Sequence, residues 1–355
     1  MDFSLFYFAN DSGTTEDDRY RLLLEGARFA DEHGFHAVWT PERHFHQFGG
    51  TYPNPSVTGA AVAAVTSRVK IRAGSVVAPL HHPVRIAEEW SVVDNISRGR
   101  VGVSFASGWH ATDFALNPST YGDRRTEMYE RVEQVRALWR GEAIKVTDGL
   151  GNPAEVRSFP PPVQAELPVW ITSVGDIETF RSAGRIGAGL LTHLLGQTPE
   201  QLAEKIAAYR EAAAEASPDG WPGHVVVMVH TFLGDDNEAV RELVRPSLSA
   251  YMRSSLNLIL ASDTGSGSDG PGSLDPDEID FLVERSFEHY FDNIGLLGSV
   301  DKAREAVRRL TELGVDEVAC LVDFGLPTDE VLSGLTHLQH LRDACGTSDA
   351  ADAAG

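Results

Sequence analysis

"VKIRAGSVVAPLHHPVRIAEEWSVVDNISRGRVGVSFA", residues 69–106, contains a complete strand–helix–strand unit. Valine and small residues make 69–78 and 99–106 suitable for buried strands. The helical stretch between them, from Val84 to Ile96, follows Pro83, and proline fits the first turn of a helix. Two strands connected through a helix are typical of neighbours in a parallel sheet, so this stretch predicts a βαβ unit.

The same alternation extends along the chain. Counting gives about eight strand-like runs, most of them followed by a helical stretch. At 355 residues this favours an α/β fold, a (β/α)8 TIM barrel with insertions, over a doubly wound sheet. No G-x-G-x-x-G follows the first strand and no G-x-x-x-x-G-K-[ST] occurs, so the nucleotide-binding loops of open sheets are missing. The other strand-like runs are 3–9, 36–40, 168–174, 188–193, 224–232 and 316–325.

We expect one domain over residues 1–345, with two interruptions. The segment 141–167 predicts a small hairpin followed by a proline-rich link. The segment 261–278 is rich in Gly, Ser and Asp, and it predicts a mobile lid loop over the barrel. Residues 346–355 predict a disordered tail.

The composition limits the partners and the compartment. The chain has 52 acidic and 30 basic residues, for a formal charge of −22. Because such a surface repels phosphate backbones and anionic lipid, we expect neither nucleic acid nor a membrane as a partner. Two cysteines, Cys320 and Cys345, provide no disulfide framework, and the amino end lacks the basic region of a signal peptide. We therefore expect a cytoplasmic protein.

"HAVWTPERHFHQFGG", residues 36–50, gathers polar groups where the second strand ends. Function in a barrel lies at the carboxyl ends of the strands, so this cluster is expected at the mouth of the barrel. Glu42, His44 and His46 are two residues apart and could share a metal ion on an extended chain. The cluster could instead be an active-site wall that handles protons, or a solvated loop.

Several strand-end segments together resemble the bacterial luciferase-like flavin-dependent monooxygenases, in particular the branch associated with polyketide and nonribosomal peptide biosynthesis. The segments are "TPERHF" (40–45), "PLHHPVRIAEEWSVVDNISRGRVGVSFASGWHATDF" (79–114) and "PVWITSVGDIETF" (168–180). The resemblance covers residues 1 to about 325. It implies a luciferase-like TIM barrel that binds reduced FMN, supplied by a separate flavin reductase, and reacts it with oxygen through a flavin hydroperoxide.

The resemblance also implies a class of substrate and an assembly. The substrate would be a natural-product intermediate of antibiotic biosynthesis, either a free small molecule or one tethered to a carrier protein. It would be oxidised by oxygen insertion or by hydroxylation. Family members often form homodimers through helices near residues 55–100, and we expect a homodimer here.

A flavin site follows from the same resemblance. The strand end 73–79 matches the segment beneath the isoalloxazine, where the family often has a non-prolyl cis peptide bond, here Gly74–Ser75. Ser107 stands where some relatives have an arginine against the FMN phosphate. Main-chain amides at a helix amino end are expected to supply the other phosphate contacts. The expected cofactor-binding residues are Gly74, Ser75, Ser107, Ser173, Val174, Gly175 and Thr179.

The catalytic position departs from the luciferases, where the motif reads Glu-His-His-Phe and the first histidine is catalytic. Here that position is Arg43, and His44 follows it. Either Arg43 acts electrostatically on the substrate or peroxide, or His44 turns inward; we favour His44 as proton donor or acceptor, with Glu42 holding one of the two. At other strand ends, Trp109, His110 and His193 are expected to contact the substrate.

Three other functions stay open. A metal-dependent hydrolase of the amidohydrolase type would use Glu42, His44 and His46, but it needs further ligands from later strands. A deazaflavin-dependent oxidoreductase would use hydride chemistry on a similar barrel. A non-catalytic flavoprotein would bind flavin without turnover. We expect FMN as cofactor and no metal.

Overall fold

The computed structural model describes residues 1–8, 18–217, 220–263 and 276–352. The strands in these ranges are β1 (Asp2–Phe6), β2 (Ala37–Thr40), β3 (Lys70–Val77), β4 (Val101–Ala106), β5 (Ile144–Thr147), β6 (Pro153–Val156), β7 (Val169–Thr172), β8 (Gly189–His193), β9 (Val225–Leu233), β10 (Leu296–Gly298) and β11 (Glu317–Leu321). The α-helices are α1 (Arg21–Glu32), α2 (Pro55–Val65), α3 (Pro83–Ser97), α4 (Arg124–Trp139), α5 (Ile177–Arg185), α6 (Pro199–Ala216), α7 (Asn237–Asp263), α8 (Pro276–Asn293), α9 (Val300–Glu312) and α10 (Thr328–Asp352).

Eight parallel strands close into a barrel. The order around it is β9-β11-β1-β2-β3-β4-β7-β8, and β8 pairs with β9 to complete the circle. The short strand β10 pairs with the upper end of β9, through the residues from Thr231 to Leu233. The predicted (β/α)8 TIM barrel is confirmed, and each of the eight predicted strand-like runs overlaps one barrel strand.

The barrel strands are apolar because both of their faces are covered. All nine residues of β9 are buried, as expected for a parallel strand between a packed interior and a layer of helices. Two of the helices begin at recognisable caps: Asn54 accepts the amide protons of Ser56 and Val57, and Thr198 forms a capping box with Gln201. These caps fix where α2 and α6 begin.

A buried ion pair closes the end of the barrel opposite the mouth. Arg72 of β3 donates a hydrogen bond of 2.7 Å to Glu317 of β11. The Ser4 hydroxyl and the Trp39 indole also donate to Glu317, over 2.5 Å and 2.9 Å. The Arg72 guanidinium lies 4.9 Å from the ring centre of Trp39 and 4.3 Å from that of Trp170. One carboxylate of β11 therefore connects to side chains of the first three barrel strands, β1, β2 and β3.

The segments outside the barrel differ in part from expectation. Strands β5 and β6 pair antiparallel within 141–167, where the sequence predicts a hairpin. In the predicted lid 261–278, residues 261–263 end α7 and residues 276–278 begin α8, with Pro276 in the first turn, while 264–275 lie outside the described residues. Helix α10 continues through residues 346–352 of the predicted tail, a stretch rich in helix-forming alanine, and 353–355 lie outside the described residues.

No helix in the described part of the chain combines the length and the apolar character that crossing a bilayer requires.

Candidate active site

A cavity of about 620 Å³ opens at the carboxyl ends of the barrel strands. Residues at or just beyond the ends of β1, β2, β3, β4, β7 and β8 line it, together with side chains of α4 and α7. This is the end of the barrel at which enzymes of this architecture bind substrates, and the volume is typical of a small-molecule site. All seven predicted cofactor-binding residues line this one cavity.

The floor of the cavity includes the Gly74–Ser75 peptide bond, which is cis as predicted. A Cβ atom on Gly74 would lie 2.6 Å from Cε2 of Phe6, so only glycine fits there. The Ser75 hydroxyl lies 2.5 Å from that of Thr172, which lies 2.7 Å from that of Ser104. Hydroxyl groups of β3, β4 and β7 therefore fix this floor from below.

The amino end of α5 forms one side of the cavity. Asp176 caps the helix by accepting the amide proton of Glu178, and its carboxylate lies 3.4 Å from Nη1 of Arg125. Lys205 donates a hydrogen bond of 2.7 Å to the Val174 carbonyl. An added Cβ atom at Gly175 would meet nothing within 4 Å, so there is open space beside this turn. A helix amino end with this open space suits an anionic group.

Arg43 and His44 turn to opposite sides. Trp39 of β2 points into the barrel, with its ring 5.4 Å from that of Trp170, whereas Thr40 accepts a hydrogen bond from Thr58 of α2 on the outside. Arg43 follows Trp39 by an even number of residues and lines the cavity. His44 does not line it, whereas Glu42 does, so the chain beyond β2 does not alternate as strictly as a strand.

The Arg43 side chain is buried at the cavity wall, with 6% of its surface exposed. Its guanidinium lies 5.2 Å from the ring centre of Trp109. Burial lowers the pKa of Arg43, and the charges of Asp113 and Tyr251 oppose that effect. Gly49, at φ +82°, passes so close to Arg43 that an added Cβ atom would lie 2.7 Å from its Cγ. Gly49 therefore makes room for the arginine.

His44 is held by Glu42, so the expectation that it turns inward is not met. Its Nε2 lies 2.8 Å from Oε1 of Glu42, and Nε2 of His81 contacts the same oxygen. The Val77 amide donates to the other oxygen over 2.7 Å. Burial alone would raise the pKa of Glu42, but these hydrogen bonds hold it below its usual range, and the contact with Glu42 raises the pKa of His81. Glu42 thus has the expected holding role, toward His44.

Glu42, His44 and His81 are also close enough together to share a metal ion. This set differs from the predicted Glu42, His44 and His46, because Nδ1 of His46 instead accepts the amide proton of Phe48. His44 and His81 do not line the large cavity, so a metal held there would lie behind the cavity wall.

Two of the three predicted substrate contacts line the cavity. Trp109 is 45% exposed over Arg43, and His193 lies at the end of β8. Burial lowers the pKa of His193 to about 4, so its imidazole is neutral at pH 7. His110 was expected in this group but does not line the cavity; its Nδ1 turns toward Asp113, 3.4 Å from Oδ1, within the 3₁₀ turn after β4.

An aromatic wall of the cavity was not predicted. Phe8, Phe48 and Tyr251 pack against one another, with ring centres 4.7 to 5.9 Å apart. Tyr251 comes from the middle of α7, and no strand-end signal marks it. Tyr129 and Arg125 of α4 also line the cavity, and they too lie away from strand ends.

Comparisons with known proteins agree with this architecture. A family model described as "Luciferase-like monooxygenase" matches residues 1–317. The flavin-dependent trigonelline monooxygenase, oxygenase component, of Acinetobacter baylyi is 27% identical over 245 residues, which are 67% of this chain and 66% of that protein. The 4-hydroxyprotoasukamycin monooxygenase of Streptomyces nodosus is 25% identical over 198 residues, which are 55% of this chain and 53% of that protein. These matches span less than two thirds of either relative.

Solved structures share the fold over 96% of this chain. The monooxygenase RslO1 of Streptomyces bottropensis superposes with a TM-score of 0.78 at 24% identity, covering 98% of that chain. The oxygenating constituent of 3,6-diketocamphane monooxygenase of Pseudomonas putida, solved with FMN, gives 0.71 at 19% identity, also covering 98%. An F420-dependent secondary alcohol dehydrogenase gives 0.69 at 18% identity, covering 97%. At these identities the likeness establishes the fold.

Proposed function

Because this chain belongs to the luciferase-like monooxygenase family, we propose that it is an FMN-dependent monooxygenase whose cofactor and substrate share the large cavity. The observation that carries the proposal is the meeting, in one cavity, of the Gly74–Ser75 strand end, the open amino end of α5 and the buried Arg43. At about 620 Å³ this cavity has the volume of a small-molecule site, and it combines a polar helix end with apolar walls.

The residues at the cavity fit a flavin phosphate. Gly74 and Ser75 would lie against the ring system, with Ser107 near the phosphate. The phosphate itself would lie at the amino end of α5, among the amides from Ser173 to Thr179, where the helix dipole favours an anion. When bound, reduced FMN supplies the electrons that activate dioxygen for transfer of an oxygen atom to the substrate.

The protein's own side chains would position the substrate and keep water away. Arg43 supplies a fixed positive charge that does not exchange protons near neutral pH. His193 is neutral there, so it can donate or accept one hydrogen bond at the cavity wall. Phe8, Phe48 and Tyr251 exclude water from one side, which strengthens the electrostatic effect of Arg43.

We propose that the substrate is a natural-product intermediate, free or tethered to a carrier protein, and that a separate reductase delivers the reduced flavin. The first part is supported by the relative named as acting on 4-hydroxyprotoasukamycin. The second is supported by the relative named as an oxygenase component.

The decisive experiment is an anaerobic titration of the purified chain with reduced FMN, reduced riboflavin and reduced F420, followed by an oxygen pulse. We expect one FMN per chain, weaker binding of riboflavin because it lacks the phosphate, and oxygen consumption only with FMN. In Gly175→Asp, we expect FMN to bind at least about tenfold more weakly, because a second negative charge meets the phosphate, with riboflavin unaffected.

Gly175→Ala is the matched control, because its Cβ atom meets no neighbour within 4 Å. Equal FMN affinity in Gly175→Asp and Gly175→Ala would contradict the phosphate site. Saturable binding of F420 in place of FMN would favour a deazaflavin-dependent oxidoreductase, the alternative that the fold of the F420-dependent alcohol dehydrogenase supports.

We further propose that the chain forms a homodimer through α2 and α3. Val57 of α2 and Val92 and Ile96 of α3 are exposed apolar side chains on these two helices. Phe159 and Val163 of the adjoining proline-rich link are exposed as well, and the link is tied to α3 by the hydrogen bond from Ser91 to the Pro160 carbonyl. A second copy of this surface would bury these side chains.

A further inference from the structure

Arg43 is a buried cation without a hydrogen-bonding partner for most of its donors. Within the described residues, neither Nε nor Nη2 of Arg43 meets an acceptor, and no carboxylate lies within ion-pair distance. In the part of the chain that the structure describes, the hydrogen bond that Arg43 donates runs from its main-chain amide to the Tyr52 carbonyl. A buried guanidinium left in this state is costly, and such groups are normally paired. Because Arg43 faces a cavity, the missing partner can come from a ligand.

The carboxylate of Asp113, which also lines the cavity, does not fill this role. It acts on Arg43 electrostatically but forms no ion pair with it within 4 Å. Its Oδ1 lies 3.4 Å from Nδ1 of His110, and neither of these two atoms makes a hydrogen bond. Arg125, the other arginine at the cavity, is engaged with Asp176 beside α5.

The surroundings of Arg43 limit the kind of group that can reach it. Trp109 covers the guanidinium, and Tyr251 is close enough to affect its charge. Tyr251 in turn packs on Phe48 and Phe8, with ring centres 4.7 Å and 5.9 Å away. The guanidinium thus has one aromatic ring over it and faces a cavity with further aromatic rings in its wall, which suits a flat apolar body carrying one anionic oxygen group.

We propose that Arg43 is the recognition residue for a carboxylate on the substrate, and that the substrate is an aromatic or otherwise unsaturated acid. The inference rests on the proposed function, which assigns the anion of the cofactor to the amino end of α5. That helix follows β7, and β3 and β4 separate β7 from β2, which leads to Arg43. The two anions therefore have separate positions, on either side of the Gly74–Ser75 floor.

The proposal also constrains how a tethered substrate would bind. A carrier protein holds its cargo as a thioester, which consumes a carboxylate, so a tethered substrate would need a second one. A substrate with a single carboxylate would have to be free. A requirement for Arg43 therefore predicts either a free acid or a carrier-bound thioester that keeps a second carboxylate.

The test uses calorimetric titration of the full chain with two pairs of probes, benzoate against benzamide and 2-naphthoate against 2-naphthamide. Each pair has the same shape and differs in charge. Titrations are done with the FMN-saturated chain and with the chain alone. We expect each carboxylate to bind about 10- to 100-fold more tightly than its amide, because a charge-assisted hydrogen bond in a buried site is lost in the amide. The preference should persist at high salt, because a buried pair is weakly screened.

Variants assign the preference to Arg43. Arg43→Met should remove it, Arg43→Lys should keep part of it, and Arg304→Met, on the exposed face of α9, should leave it unchanged. Equal binding of carboxylate and amide by the wild-type chain would overturn the proposal, and this needs no variant to fold. A preference for the carboxylate that survives in Arg43→Met would overturn the proposal too, whether or not that variant still binds FMN.

Failure of FMN binding and failure of the carboxylate preference can be told apart. If FMN does not bind, the proposed function fails, while the carboxylate preference is still measurable on the chain alone. If FMN binds and the preference is absent, only the role of Arg43 fails.

Discussion

Replacing Glu317 with glutamine tests the ion pair that closes the barrel. Burial by itself would raise the pKa of Glu317, but Arg72, His36, His224 and the Ser4 hydroxyl together lower it from 4.5 to about 2. Glutamine has the shape of the protonated acid, so the variant removes the charge and leaves the packing.

The expected magnitude follows from this shift. At 1.36 kcal/mol per pKa unit, the carboxylate contributes about 3 kcal/mol to the free energy of unfolding at pH 7. Because the folded-state pKa is depressed, this contribution is complete above the unfolded-state pKa and is lost as the pH falls toward about 2. The wild type and Glu317→Gln should therefore differ by about 3 kcal/mol at pH 7, and by about 1 to 1.5 kcal/mol less at pH 3.5.

Urea unfolding at pH 7, 5.5, 4.5 and 3.5, followed by tryptophan fluorescence and by far-ultraviolet circular dichroism, measures this difference. Glu330→Gln, an exposed change on α10, is the matched control and should leave stability within about 0.5 kcal/mol of the wild type. A difference below about 1 kcal/mol at pH 7, or one that stays constant down to pH 3.5, would refute the electrostatic account of this ion pair.

Three further outcomes are expected. Glu42→Gln should lower the pKa of His81, because the contact with that carboxylate raises it; an imidazole NMR titration checks this, and an unchanged pKa would contradict the contact. Dialysis against EDTA should leave reduced-FMN binding unchanged, because Glu42, His44 and His81 form a hydrogen-bonded group; binding lost to EDTA and restored by zinc would favour a metal enzyme. Val92→Asp should halve the mass seen by light scattering, whereas Leu150→Asp, on the β5–β6 turn, should not; equal masses would argue against the α2–α3 interface.

The barrel was predictable because its signals are local and repeated. Each barrel strand is a short apolar run, and most are followed by a helix of the right length. Helix α8 and strand β10 were not predicted. The first residues of α8, 276–278, have the same polar composition as the Gly- and Ser-rich segment before them, and β10 has only three residues. The proline and the two acidic residues at the start of α8 were the available signal for a helix amino end.

The residues proposed to hold the flavin were named from the family resemblance of the strand-end segments, and the barrel explains why they line one cavity. Strand ends and helix amino ends are properties of the main chain, and in a barrel their meeting point follows from the order of the strands. Side chains that reach the cavity from within helices carry no such signal. Tyr251 lies in the middle of α7, where an aromatic residue is usually only part of the core.

The choice between Arg43 and His44 could not be made from the sequence because β2 is buried on both faces. Alternation implies that the two residues diverge. All four residues of "AVWT" are buried, however, so the sequence does not show whether Trp39 or Thr40 faces the barrel interior. Packing decides it: Trp39 pairs with Trp170 inside the barrel, so Arg43 faces the cavity. An arginine exchanges no proton near neutral pH. The position that carries an imidazole in luciferases therefore supplies a permanent charge here, and any proton that the reaction requires must come from another donor.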